Sequence, residues 1–349
     1  MLIFWILVFI LSLALLVKSA DWLIESSEKI AISLKISPFI IGVTIIAIGT
    51  SFPELASAIT AVLKGAGEIV TANVIGANIT NILLVTGLSA VFARTLIVRR
   101  SLIDLDAPLL ATTTVLFIFI MWDRKIVFGE GILLLLAFVI YLLYTIFQRR
   151  EVFITPELAE VLPGGAKIQI LPSRAERRRL HTLPPPSRQG GPLEIKEKPS
   201  KLNFKVFLFL ILGMAGLVVG ANYAIESIVK ISGLLKISTA LIAITVMSWG
   251  TTLPELLVSV RAALKKKYEI CLGNIFGSNV FNVLVVVGIP ALIKPLAVAD
   301  LTFSIGLPFL VVATLFFIIS GISRRIHIWE GAMYLLIYIL FIVKLCGIF

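Results

Sequence analysis

Apolar runs fill most of the chain, and short polar or basic stretches punctuate them. A helix crossing the ~30 Å hydrocarbon layer needs about 20 residues. About ten runs reach that scale: 2–25, 37–63, 69–93, 102–122, 127–148, 204–229, 238–264, 269–291, 302–321 and 328–348. The pattern predicts an all-α polytopic membrane protein. Residues 1–148 hold the first five spans and residues 204–349 the last five, with 149–203 as a linker between them. The first run, Leu2 to Val17, resembles a signal-peptide core in length. It lacks a basic start and a clean small-residue cleavage site, so it reads as a retained helix.

Two of the runs carry the same interruption. Gly49-Thr50-Ser51-Phe52-Pro53-Glu54-Leu55 lies inside the second span, and Gly250-Thr251-Thr252-Leu253-Pro254-Glu255-Leu256 inside the seventh. The match continues beyond them. Lys35-Ile36-Ser37 answers Lys236-Ile237-Ser238, and Asn73, Gly76, Asn78, Asn81 and Gly87 answer Asn274, Gly277, Asn279, Asn282 and Gly288, at one constant offset. Roughly 22 of about 53 aligned positions are identical, which establishes an internal repeat. Each half holds an odd number of spans, so the second half enters the membrane from the opposite side. The expected architecture is two inverted five-helix repeats, as in many secondary transporters.

Composition narrows the function classes. The chain has 349 residues, 59% of them hydrophobic, and a mean hydropathy of +1.06, against about half apolar residues in a soluble domain. Cys271 and Cys346 lie in apolar segments without partners for metal or redox chemistry. His181 and His327 fall in a polar loop and at a helix edge, so histidine catalysis at mid-membrane is not available. No nucleophile or H-E-x-x-H metal motif supports an intramembrane enzyme, and no cofactor is expected.

The net charge of +11 has a local source. The linker holds Arg174, Arg177, Arg178, Arg179, Arg188, Lys196, Lys198 and Lys201, together with Pro184-Pro185-Pro186 and Gly190-Gly191. That composition disfavours a packed core. It reads as a solvated positive-inside linker, with a tether for anionic membrane lipids as the sharper alternative. No basic fold accompanies it to suggest nucleic acid, and no obligatory protein partner is evident. The basic ends at Arg94, Arg99, Arg100, Arg149, Arg150, Lys265, Lys266, Lys267, Arg324 and Arg325 share one side if the N-terminus starts outside. Both termini are then outside the cell membrane and the linker is cytoplasmic.

Glu54 and Glu255 are the strongest chemical signal. A carboxylate at mid-membrane is costly and marks a functional site by default. Pro53 and Pro254 break the helix beside it and free carbonyl oxygens, which are tolerated at that depth only against a cavity or protein. Carboxylates, hydroxyls and carbonyls are hard oxygen ligands suited to Na+, Ca2+ or Mg2+. Two facing carboxylates need a cation between them or a proton on one. Asn81 and Asn282, on the next span of each repeat, offer amide oxygens to a cation or a hold on a Glu. Asn73 and Asn274 read as interhelical hydrogen-bonding residues beside close-packing glycines. For Asn78 and Asn279 both readings stay open.

These motifs, with A-N-V-I-G-A-N-I-T-N at 72–81 and G-N-I-F-G-S-N-V-F-N at 273–282, resemble the two α-repeats of the sodium/calcium exchanger family within the cation/calcium antiporters. The resemblance covers nearly both halves. It implies ten spans, inverted repeats and a central site facing each side in turn. It also implies ligand roles for Glu54 and Glu255, for Thr50, Ser51, Thr251 and Thr252, and for the carbonyls of Ala47 and Ser248. The chain departs from the pattern in three places. Exchangers of three Na+ per Ca2+ usually carry Asp at one of the positions held here by Asn81 and Asn282. Ala77 lacks the hydroxyl that Ser278 keeps at the related Na+ site. Ala72 replaces the usual glycine. No acidic calcium-sensor domain fits the linker.

The sequence therefore reads as a secondary antiporter exchanging Ca2+ for Na+. A proton-coupled or other divalent-cation antiporter is the nearest alternative. A passive channel is a further one, which the inverted repeat within a single chain disfavours.

Overall fold

The computed structural model describes residues 2–34, 36–98, 107–148, 203–234 and 250–347. Linker residues 149–202 and the stretch 235–249, with Ser248, lie outside the described residues.

Helix α1 (Leu2–Leu34) runs well past the expected end of the first span. The second span is built in limbs: α2 (Pro38–Ile41), a π-helical turn (Gly42–Ile46) and α3 (Ala47–Thr50), then α4 (Phe52–Leu63). Ser37 caps α2 by accepting the Phe39 N–H at 3.1 Å, and Pro38, which has no N–H to lose, fits the first turn. The two limbs bend by 42° between Thr50 and Phe52. Pro53 causes the break, because it cannot donate to the carbonyl four residues back. The third span joins α5 (Gly67–Ile79), a π-helical turn (Thr80–Val85) and α6 (Thr86–Ala93). Strand β1 (Thr95–Ile97), α7 (Ala107–Ile120), β2 (Lys125–Ile126) and α8 (Phe128–Gln148) complete the first half.

The second half repeats this order. It comprises α9 (Phe204–Leu234), α10 (Leu253–Leu264) and α11 (Tyr268–Phe281), the last continued through a π-helical turn (Asn282–Val286) into α12 (Gly288–Ile293). Then come β3 (Leu296–Ala297), a π-helical turn (Thr302–Gly306) leading into α13 (Leu307–Ile322), β4 (Arg325–His327) and α14 (Ile328–Leu345). Among the described residues seven helical spans are long and apolar enough to cross a membrane, and the bent pair makes an eighth. The described α7 and α10 fall within the remaining two expected spans.

Two small sheets, absent from the sequence expectation, test the topology. β1 pairs antiparallel with β4, Leu96 opposite Ile326. β2 pairs antiparallel with β3, Ile126 opposite Leu296. Each sheet thus joins a loop of one half to a loop of the other. Spans four to nine separate β1 from β4 and spans five to eight separate β2 from β3. Both are even numbers, so each pair meets on one membrane face, and span four puts the two sheets on opposite faces. This is what two inverted five-span repeats require.

Helices α1 and α9 pack along each other at the periphery. Gly213 and Gly220 let them approach closely: a Cβ on Gly213 would lie 3.0 Å from backbone atoms of Ser19 and Leu23, and one on Gly220 2.8 Å from Leu16 Cγ, closer than ordinary contact. Small residues are the usual means of such packing where lipid removes the hydrophobic drive between helices. Their outer sides, with Ile3, Phe4, Leu11, Phe204 and Ile211, stay exposed as a lipid-facing surface. The centre is the opposite case. Every residue of α11 from Ile270 to Phe281 is buried. Gly273 and Gly277 lie against the backbone of Phe39 and Val43, so repeat two packs directly on the first limb of the broken span.

At one end of the molecule α1 is tied to the end of α10. Arg261 grips Asp21 with two nitrogens, at 3.1 and 2.6 Å. Lys265 reaches Asp21 at 3.0 Å and Glu25 at 3.1 Å, and Lys267 pairs with Glu28. On the other sheet's side Arg124 pairs with Asp300. These acidic residues near helix ends are thus specific inter-repeat partners.

Candidate cation site at the broken helices

Glu54 stands in the first turn of α4 and Glu255 in the first turn of α10, each directly after a proline. The first N–H groups of a helix have no intrahelical acceptor, and the backbone dipoles favour negative charge there. The repeated Pro-Glu pair thus starts a half-helix and sets a carboxylate on its positive end. Both side chains are buried, at 0% and 1% exposure, and near enough to repel each other. Among the described residues no lysine, arginine or histidine is buried. The pair therefore lacks an internal counter-charge from those residues.

The two repeats interlock at these carboxylates. Ser51 Oγ donates to Glu255 Oε1 at 2.8 Å, across the repeat boundary. Thr50 Oγ1 lies beside Glu255 but donates to Asn274 Oδ1 at 3.1 Å. Thr251 takes the related place near Glu54, half-buried and with no hydrogen bond of ordinary geometry on its hydroxyl. Thr252 is buried. The Ala47 carbonyl accepts from Ser51 N at 3.0 Å, and Thr50 Oγ1 lies 3.3 Å from it as the alternative to Asn274. Ser248 lies outside the described residues.

The wide π-helical turn 282–286 begins at Asn282, and the turn 80–85 begins one residue before Asn81. Such turns recur at functional sites, and nothing in residue periodicity announces them. The turn with Asn81 packs on α10, and the turn with Asn282 packs on α4. Each amide is thereby carried to the helix of a glutamate, across the repeats. Asn282 Nδ2 donates to Asn78 Oδ1 at 3.1 Å, and Asn78 Nδ2 donates to the Asn279 carbonyl at 3.0 Å. Asn78 is thus an interhelical brace. Asn279 is buried and donates to the Ile275 carbonyl at 2.7 Å, which leaves its Oδ1 unpartnered.

The unsatisfied atoms identify what the centre can do. Both Glu54 carboxyl oxygens, Glu255 Oε2, Asn81 Oδ1, Asn282 Oδ1, Thr251 Oγ1 and Ser278 Oγ are buried without a protein hydrogen-bond partner. A buried polar atom left unpaired costs about 1–3 kcal/mol, and the cost is higher for a charge. These atoms are hard oxygen donors, the chemistry of Na+ and Ca2+ coordination. Among the described residues no group of three or more His, Cys, Asp and Glu is placed to hold a metal ion. Two carboxylates among neutral oxygens suit a cation that binds and leaves. The sequence reading anticipated the carboxylates, the hydroxyls and the two amides. It missed the part played by Ser259, which carries no repeat signature because its counterpart is Ala58.

Comparison with known proteins identifies the family and the fold. The family model described as sodium/calcium exchanger protein matches residues 4–147 and 205–347. The sodium/calcium exchanger MaX1 of Methanosarcina acetivorans is 31% identical over 345 residues, covering 97% of each chain. The inner membrane protein YrbG of Escherichia coli is 30% identical over 295 residues, 84% of this chain and 82% of its own. The solved structure of the sodium-calcium exchanger NCX_Mj soaked with zero Na+ and Ca2+ is similar with a TM-score of 0.74 and 28% identity, covering 99% of this chain and 100% of that one.

Proposed function

The chain belongs to the sodium/calcium exchanger family, and on that premise we propose that it exchanges Ca2+ for Na+ across a membrane by alternating access, with Glu54 and Glu255 as the central cation ligands. It is a multi-pass transporter and not an enzyme. The observation that carries the ligand assignment is the set of buried, unpartnered oxygens around two carboxylates with no buried basic residue among those described. Thr50, Ser51, Thr251, Thr252, Asn81, Asn282 and Ser278 complete the coordinating set, and the carbonyls of Ala47 and Ser248 extend it. The Ala47 carbonyl already accepts the Ser51 N–H, so it would join through its second lone pair.

The inverted repeats supply the reason for alternating access. The same half-helix and the same carboxylate occur once in each orientation, so the site has two equivalent ways out. The halves 1–148 and 204–349 act as the two repeats, and 149–203 is a cytoplasmic linker with both termini outside. Proton coupling is the second reading, favoured by Asn at both 81 and 282 and by Ala77 in place of a hydroxyl.

The test is Ca2+ uptake into proteoliposomes under an imposed Na+ or H+ gradient. A Na+ gradient should drive saturable Ca2+ movement at a fixed exchange ratio; a response to H+ alone selects the second reading, and flux without countertransport defeats both. Glu54→Gln and Glu255→Gln should each abolish Ca2+ binding by calorimetry while the protein remains folded. Near-normal affinity in either variant would remove that residue from the site.

A further inference from the structure

Asn274 has Ser259 beside it, whereas the position related to Ser259 in the other repeat is Ala58, and the hydrogen bonds differ with it. In repeat two, Asn274 Nδ2 donates to the Glu255 carbonyl at 3.3 Å and to Ser259 Oγ at 3.0 Å. Ser259 and Asn274 are both fully buried. A backbone carbonyl can only accept, so the amide NH2 must face Glu255 and Ser259, and Oδ1 must face the other way. Oδ1 meets Thr50, which therefore has to be the donor. At the same offset, repeat one holds Ala58 where Ser259 stands and a half-buried Asn73, and the repeat-two threonine related to Thr50, Thr251, makes no hydrogen bond of ordinary geometry.

We propose that Ser259 is a positioning residue for cation binding: through the Asn274 amide it commits the Thr50 proton to Asn274 and turns the Thr50 lone pairs to the ion. The proposal rests on the reading of Thr50 and Glu255 as ligands. A hydroxyl coordinates a cation only through its lone pairs. Thr50 lies next to the Glu255 carboxylate, which without the brace would compete for the same proton and turn the hydroxyl away from the ion. Its other acceptor in reach, the Ala47 carbonyl at 3.3 Å, is on its own helix. Thr251 has no such restraint, so the two chemically identical threonines are unequal ligands. Hydroxyl orientation fixed before the ion arrives lowers the ordering cost of binding.

The experiment measures Ca2+ affinity by calorimetry and Ca2+ uptake in proteoliposomes for the full-length chain. Ser259→Ala is expected to weaken Ca2+ binding about three- to tenfold, the range of one buried hydrogen bond, and to raise KM with little change in maximal rate. Ser259→Thr, which keeps the hydroxyl, should restore affinity. In a Thr50→Ala background Ser259→Ala should cause no further loss, because the two act through one contact. Unchanged affinity in Ser259→Ala, failure of Ser259→Thr to restore it, or additive losses with Thr50→Ala would each overturn the brace. Glu255→Gln separates the two levels. If it abolishes binding while Ser259→Ala does not alter it, the brace alone fails; if Glu255→Gln binds normally, the site assignment fails and the brace with it.

Discussion

Charge counting at Glu54 and Glu255 limits what the site can carry. The pair is neutralised by one Ca2+, by two Na+, by two H+, or by one of each monovalent ion. Asn81 and Asn282 add amide oxygens but no charge. A third monovalent cation would leave a net positive site, and an unpaired unit charge costs about 4 kcal/mol at an effective dielectric of 20 and ~4 Å. Ala77 also withdraws a hydroxyl where Ser278 Oγ offers an unpartnered one. We therefore expect about two monovalent cations per Ca2+ and a nearly electroneutral cycle. Ca2+ flux in liposomes clamped with K+ and valinomycin measures this, and a clear dependence on voltage would mean a third cation binds. Asn282→Asp should restore charge movement or raise Na+ affinity if the amide sets the count.

At the scale of elements, the broken spans and the ion pairs act differently. The broken spans are duplicated; the ion pairs between α1 and α10 are not. At the same offset the positions of Asp21, Glu25 and Glu28 hold Asn222, Glu226 and Val229, and those of Arg261, Lys265 and Lys267 hold Thr60, Lys64 and Ala66. One end of the repeat interface is thus tied by charge more strongly than its counterpart. Burial pulls the Lys265 ammonium down, but its bonds to Asp21 and Glu25 outweigh this and hold it above the ordinary lysine value. That contribution is complete below the unfolded lysine pKa and is lost as pH rises through the higher folded value, so at neutral pH it is fully present. Asp21→Asn should lower stability by about 1 kcal/mol, the upper range for partly exposed pairs. The thermal midpoint in detergent at low salt reads this, and the difference from wild type should shrink in high salt. A salt-independent or absent difference would show that the pairs contribute nothing.

For the whole molecule, the strand pairs place β1 with β4 on one face and β2 with β3 on the other. They do not say which face is cytoplasmic. From the positive-inside bias of the basic loop ends and the basic linker we propose that the β1–β4 face is the cytoplasmic one. A cysteine at Ser187 should resist an impermeant maleimide in intact cells and react after permeabilisation. Labelling from outside would invert the orientation. Deletion of most of 149–203 should leave exchange intact if the linker only joins the halves. Loss of Ca2+ uptake in correctly inserted protein would give the linker a working role.

The sequence alone determined the membrane class, the duplication and the pair of carboxylates beside the helix-breaking prolines. Those features are local: span length follows from helix rise, and Pro53-Glu54 or Pro254-Glu255 breaks and charges a helix whatever packs around it. The tertiary structure decided the partners. Ser51 bonds to the glutamate of the other repeat, and Asn81 and Asn282 reach the site on wide turns that periodicity does not encode. Asn274 followed the interhelical expectation, yet only packing showed that it is pinned by Ser259 and holds Thr50. Hydrogen bonds between residues some 200 positions apart depend on how the repeats dock, and docking is set by close approaches such as Gly277 on Val43, which a linear pattern suggests but cannot assign.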